Sequence, residues 1–149
     1  MNSIFTLESF DEINTRLKKL NKNSNKQWGT MDASQMLAHC CEPLKIALGL
    51  EKSIQEPYLK KLIMGLFKHK LYDDSTWKKN LPTTDQFKIF ENKNFDLELE
   101  SLKSLAKRIH QEKNKTEWDA HPIFGKFTTE QWGKMQYKHL DHHLKQFGV

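Results

Sequence analysis

Three of the seven histidines lie close together near the end of the chain, at positions 139, 142 and 143. If this segment is a helix, each residue turns by about 100°. His139 and His143 then lie about 40° apart on the face that also carries Trp132 and Leu140, whereas His142 is turned roughly 100° from His143. We therefore expect His139 and His143 to point into the protein and His142 to lie at the margin of that face.

Two inward imidazoles four residues apart can bind one metal ion, as in the helix motif of zinc proteases. The glutamate of that motif is absent, because Leu140 follows His139. The spacing alone leaves open the alternative that both histidines are hydrogen-bonded packing residues of the core.

A third ligand would have to come from another helix. His39 is the candidate, because it lies near the edge of an apolar stripe in the second predicted helix; the alternative is a boundary histidine bonded to a neighbour. His69 and His110 are expected at the surface.

The positions that would hold these histidines are predicted to be helical. Glycine (6) and proline (4) are rare, and long segments repeat apolar residues with a helical period. Four long helices are expected to begin near Thr6, Asp32, Asp96 and Thr128, and a short one after Pro57. The length fits one domain, residues 1–149, and the pattern predicts an all-α four-helix bundle with an additional short helix. Pro43 lies inside the second helix and should kink it or cost it a hydrogen bond.

Composition excludes several functional classes. The 24 basic and 19 acidic residues give a net charge of +5, with lysines spread along the chain, so we expect no nucleic-acid partner. No apolar run approaches the ~18–20 residues of a membrane span, so we expect no membrane partner. The two cysteines, Cys40 and Cys41, are adjacent and would point about 100° apart on a helix, so we expect no structural disulfide between them. With no secretory signal pattern at the start, we expect a cytoplasmic protein.

Three segments carry a family resemblance: Trp28–His39, His121–Gly125 and His139–Gly148. Together they resemble the DinB/YfiT-like superfamily, and most of all a branch catalogued only as a domain of unknown function. The resemblance implies a four-helix bundle that holds a divalent metal ion, with zinc or nickel expected. The three ligands that it implies are His39, His139 and His143.

The resemblance also implies a chemistry. Three neutral imidazoles leave the charge of a divalent ion uncompensated and a coordination position open, as in catalytic sites. Such an ion lowers the pKa of bound water or deprotonates a thiol. By resemblance we expect a metal-dependent transferase that acts on an electrophilic small-molecule substrate. The metal would activate either a low-molecular-weight thiol, such as bacillithiol or mycothiol, or a water molecule. The alternative is a non-catalytic bundle that binds a small ligand or a metal, and a homodimer is left open.

Further residues are candidates for the rim of such a site. His142 and His121 are candidates for proton transfer or substrate contact. A solvent-facing position is the alternative for His142, and a loop-shaping role for His121, whose backbone Pro122 holds extended. Gln35 can either orient His39 or close a capping box at the start of its helix. Cys40 is expected to be a core residue with an inert thiol.

Overall fold

The computed structural model describes residues 2–52, 54 and 57–149, and within them it is all-helical, with five α-helices and no β-strand. The helices are α1 (Leu7–Leu17), α2 (Ala33–Ala47), α3 (Tyr58–Gly65), α4 (Phe95–Gln111) and α5 (Thr129–Gln146). The all-α prediction, with four long helices and one short, is confirmed. Among the helices described, none is long and apolar enough to cross a membrane.

The two helices that carry the candidate ligands begin where the sequence predicts. In α2 the Asp32 side chain accepts a hydrogen bond from the backbone of Gln35, whose own side chain bonds back to Asp32 N. In α5 Thr128 and Gln131 form the same reciprocal capping box. Both boxes satisfy backbone N–H groups that a helix start leaves without partners. The capping role of Gln35 is thus confirmed.

The start of α4 differs from the prediction. Asn94, not Asp96, caps the helix, because the Asn94 side chain accepts from Leu97 N. Asp96 instead lies in the first turn, where its negative charge is favourable beside the helix N-terminus.

The four long helices pack around one apolar core, with α1 and α2 each contacting both α4 and α5. The expected stripe of α2 (Met36, Cys40, Leu44 and Ala47) is buried there. Each fully buried large apolar side chain contributes about 1.5–3 kcal/mol. The contact between α2 and α5 brings the two histidine-bearing helices together.

Pro43 lies within α2 without ending it. Because proline has no backbone N–H, the carbonyl of His39, four residues earlier, lacks its usual helical donor. The Pro43 carbonyl in turn accepts a hydrogen bond from the Gln136 side chain of α5, with 3.2 Å between Gln136 Nε2 and Pro43 O. The two helices are therefore linked one turn beyond the histidine.

Helical phase alone places Lys138 on the solvent side of α5, and this is wrong. Lys138 is buried, and its ammonium donates to the carbonyls of Lys70 and Asp73 and to the Asp73 carboxylate. The Lys138 ammonium holds the pKa of Asp73 well below its usual range. The segment that follows α3 lies across this face of α5 and covers what would otherwise be exposed.

The short helix α3 adds little to the core. Its apolar side chains remain exposed, as do those of the residues just after it: Leu59, Leu62, Ile63, Leu66 and Phe67. The site described below does not depend on them.

Gly133 is the point where the N-terminal segment crosses α5. Its carbonyl accepts from Ile4 N at 3.0 Å, and an added Cβ would overlap Ser3 Oγ and the Phe5 ring. We expect Gly133→Ala to lower the free energy of unfolding by about 1–3 kcal/mol, since overpacking outweighs the gain in helix propensity. Gly65→Ala, in open space on α3, should be neutral or stabilising by up to ~1 kcal/mol. Urea denaturation measures both, and equal stability of the two variants would contradict the packing described.

Candidate metal centre

Three buried histidines meet between α2 and α5. His39 comes from α2, and His139 and His143 from successive turns of α5; they are 4%, 7% and 8% exposed. One ring nitrogen of each lies within 4.8 Å of the others. The Nε2 atoms of His39 and His139 are 3.2 Å apart, well within the separation that shared coordination of one ion allows. The fold thus brings together the three residues that the sequence singles out.

The tautomer of His39 is set by a backbone carbonyl. Its Nδ1 lies 2.8 Å from the carbonyl oxygen of Phe87, in a short 3₁₀ turn, Asp85–Phe87. A carbonyl oxygen only accepts hydrogen bonds, so Nδ1 must carry the proton. Nε2 of His39 therefore keeps its lone pair, as a metal ligand requires.

The tautomer of His143 is set by two successive hydrogen bonds through Gln146. Gln146 Nε2 donates to the carbonyl of Trp28 at 2.7 Å, which fixes the orientation of the Gln146 amide. Its Oε1 then faces His143 Nδ1 at 2.8 Å and accepts the proton there. The Nε2 lone pair of His143 is left free.

Gly29 allows these two hydrogen bonds of Gln146 to form. Its φ of +82° lies in the left-handed region, which favours glycine, and an added Cβ would overlap Gln146 Nε2. Gln146 is also held through its backbone, because its carbonyl accepts from Gln27 N at 2.7 Å. The segment before α2 is thereby fastened to the end of α5.

Burial keeps all three imidazoles neutral. It lowers the pKa of His39, His139 and His143, because water no longer solvates a charged ring. Repulsion between the neighbouring rings lowers the pKa of His139 and His143 further, and for His143 the result is about 3. At neutral pH the cluster is a set of uncharged nitrogen donors.

This donor set could hold a divalent metal ion. Neutral imidazole is a common metal ligand, and two of the rings already have the hydrogen-bonded orientation seen around metal sites. No cysteine belongs to the cluster of potential ligands found among the described residues. Cys40 and Cys41 are buried elsewhere in the core, and burial raises the pKa of both thiols, as expected for inert packing residues.

A pocket of about 610 Å³ opens beside the cluster. His142, His143 and Gln146 line this pocket. The remaining wall includes seven apolar residues: Trp28, Met31, Leu81, Pro82, Phe87, Ile89 and Phe90. A small molecule in this pocket would lie next to His143, one of the three clustered histidines.

His142 lies at the entrance to the site, outside the three-histidine cluster. It is half-buried, with its ring centre 5.7 Å from that of Trp28 and 5.7 Å from that of Trp77. It lines both this pocket and an adjoining cavity of about 770 Å³. Partial burial lowers its pKa, so the ring is neutral at pH 7. The alternative of a simple solvent-facing residue does not describe this position.

Residues 2–148 match the family described as "Protein of unknown function (DUF1569)". The chain belongs to this family. No curated protein and no solved structure matches the chain.

In this DUF1569 chain, His121 shapes a loop. Its backbone pairs with Gly125, and its Nδ1 accepts from Ile123 N at 3.2 Å and Phe124 N at 3.3 Å. The ring packs against Trp132 at 5.8 Å between centres. These contacts support the loop-shaping role, and His121 does not join the cluster.

The remaining histidines have different surroundings. His69 is exposed, as expected. His110 is half-buried instead, since it stacks on Phe10 at 4.4 Å and its Nδ1 lies 2.7 Å from the carbonyl of Ile4. It fastens the N-terminal segment to α4.

Sequence reasoning missed the residues that orient the ligands. Phe87 contributes a backbone carbonyl, and because every residue has one, the residue type gives no signal of this role. Gln146 could have been found, because it follows His143 by three residues on the same helical face. Trp28 and Gly29 stand in the segment that carries the family resemblance, although their spacing alone does not show their contact with Gln146.

The His121 loop should lose stability in acid. Burial, and secondarily the positive charge of Lys68, lower the pKa of His121 to about 4 from the 6.5 of an unfolded chain. Because the folded pKa is the lower one, the unfolded state binds more protons between pH 6.5 and 4. The stabilisation is complete above pH 6.5 and is lost as the pH falls through that window. From pH 7 to pH 4.5 the loss amounts to about 2 kcal/mol.

The matched variant is His121→Asn, whose Oδ1 can accept the same two backbone hydrogen bonds but does not titrate. Urea denaturation at pH 7 and pH 4.5 should show that this variant loses less unfolding free energy in acid than the wild type does, by about 2 kcal/mol. The same loss in both proteins would mean that His121 does not carry the effect.

Proposed function

We propose that this protein is a metal-dependent enzyme of the DinB-like type, in which His39, His139 and His143 hold a divalent zinc or nickel ion. The ion would activate a low-molecular-weight thiol, or water, for attack on an electrophilic small molecule; the S–H or O–H proton is released as the new bond to the electrophilic carbon forms, and the electron pair displaced there stays on the electrophile or leaves with its leaving group. The proposal also places the DUF1569 chain in the DinB-like superfamily, with α1, α2, α4 and α5 as its four-helix bundle.

The observation that carries the proposal is the close approach of three buried histidine rings from two helices. The carbonyl of Phe87 and Oε1 of Gln146 each accept a hydrogen bond from an Nδ1–H group, so Nε2 of His39 and of His143 carries the lone pair. A packing histidine can donate from Nδ1 in the same way; what favours a metal site is that three buried rings have one nitrogen each within 4.8 Å of the others. Carbonyl-oriented imidazoles that share a centre are typical of metal ligands.

A bound divalent ion would supply Lewis acidity, which lowers the pKa of a thiol or water at neutral pH. The chain's own residues do the rest. The neutral ring of His142, at the entrance, has a nitrogen lone pair that can accept the proton released by the thiol or water. The apolar side chains of the wall, among them Trp28 and Phe90, favour a substrate with an apolar portion.

Metal content of histidine variants tests the ligand set. Wild type and His142→Ala should each bind about one zinc ion per chain. Zinc affinity should fall at least about 100-fold in the ligand variants His39→Ala, His139→Ala and His143→Ala, because two imidazoles and water hold a divalent ion poorly. Atomic spectroscopy after dialysis against the same zinc buffer measures this. Loss of zinc from His142→Ala with retention by His143→Ala would overturn the assignment.

Turnover separates the enzyme from a non-catalytic binding protein. Metal-loaded wild type should consume a small thiol in the presence of an electrophile faster than the free metal does. His142→Ala should retain its metal and lose turnover. Stoichiometric metal without turnover across a panel of thiols and electrophiles would instead support a bundle that binds a metal or small ligand.

A further inference from the structure

Three buried side-chain atoms in the described residues have no hydrogen-bond partner: Trp132 Nε1, Gln136 Oε1 and His139 Nδ1. All three belong to α5, and their spacing of four and then three residues places them along one helical face. Buried polar atoms are nearly always paired, so such a row calls for an explanation. One of them, His139 Nδ1, belongs to a ring of the candidate metal centre, and Gln136 precedes that residue by three positions.

His139 is the one ligand whose tautomer is not already set for a metal. In the structure its Nε2 lies 3.2 Å from Nε2 of His39. Because His39 Nε2 carries a lone pair, His139 must donate its Nε2 proton across this contact, which leaves its Nδ1 bare. Binding a cation through Nε2 requires the opposite tautomer, with the proton on Nδ1, and that proton then needs an acceptor inside the core.

Gln136 provides the acceptor. It is fully buried, and its Nε2 donates to the carbonyl of Pro43, so the amide must be oriented with Oε1 as the free acceptor. It precedes His139 by three residues, the spacing at which side chains on a helix are neighbours. Trp132 Nε1 is a donor only and cannot take this proton.

We propose that Gln136 is a positioning residue for His139: when a cation binds His139 Nε2, the Gln136 side-chain oxygen accepts the proton on Nδ1. This inference rests on the proposed function, and it completes a pattern. His143 is oriented by a glutamine three residues after it, and His139 is oriented by one three residues before it. Through Pro43, the same glutamine ties the ligand to α2, one turn beyond His39.

Two measurements test the proposed role of Gln136: the zinc affinity of Gln136 variants, and which nitrogen of His139 is protonated. Gln136→Met keeps the side-chain length and removes the acceptor, and zinc affinity, measured by competition with a chromophoric chelator, should fall 10–100-fold. Gln136→Glu should restore it to within a few-fold of wild type, because a neutral carboxyl can donate to Pro43 O and still accept from His139. The control is Tyr137→Phe. Tyr137 also lies on α5, and the change removes its hydrogen bonds with Asn2 and Glu12, so this variant should bind zinc like wild type.

Nitrogen-15 NMR of the zinc-loaded protein gives the second readout. His139 should be protonated at Nδ1, with a slowly exchanging proton in wild type that exchanges faster in Gln136→Met. Circular dichroism melts confirm folding, and Gln136→Leu replaces Gln136→Met if that variant does not fold. Unchanged zinc affinity in the folded variant overturns this inference alone. Absence of zinc binding in wild type overturns the proposed function and this inference with it.

Discussion

The burial of three imidazoles at one point between α2 and α5 is the constraint on which the rest of the site depends. Rings this close and this buried cannot carry charge, as the lowered pKa values of all three indicate. Each neutral ring still has an N–H group that must find an acceptor inside the protein. The carbonyl of Phe87 is the acceptor for His39, and Gln146, itself bonded to the carbonyl of Trp28, is the acceptor for His143. Phe87 and Trp28 also line the pocket.

The same requirement gives α5 an unusual core face. Gln136 and Gln146 are buried among apolar residues such as Leu140 and Leu144. A buried polar group costs stability unless it is hydrogen-bonded. The N–H donors of both amides bond to backbone carbonyls of other segments, whereas Oε1 of Gln136 has no partner. These amides therefore join the histidine face of α5 to its neighbours, so packing and ligand orientation are one feature of the fold.

The helices and the inward pair on α5 could be predicted from the sequence, because apolar period, capping residues and helical phase are local properties. His139 and His143 share a face for that reason, and the capping boxes of α2 and α5 needed only neighbouring residues. The contacts that set the tautomers could not be predicted, because they depend on backbone carbonyls, such as that of Phe87, in a region without periodicity. The burial of Lys138 was missed for a related reason: the segment that covers it is distant in sequence.

The central claim is that three imidazoles and no thiolate bind one divalent ion. X-ray absorption spectroscopy of the protein loaded with one equivalent of zinc tests it most directly. We expect a first shell of nitrogen or oxygen at about 2.0–2.1 Å, with outer-shell scattering that fits three imidazoles. A sulfur shell at about 2.3 Å, which would mean that Cys40 or Cys41 binds the ion, or a fit with one imidazole or none, would contradict it.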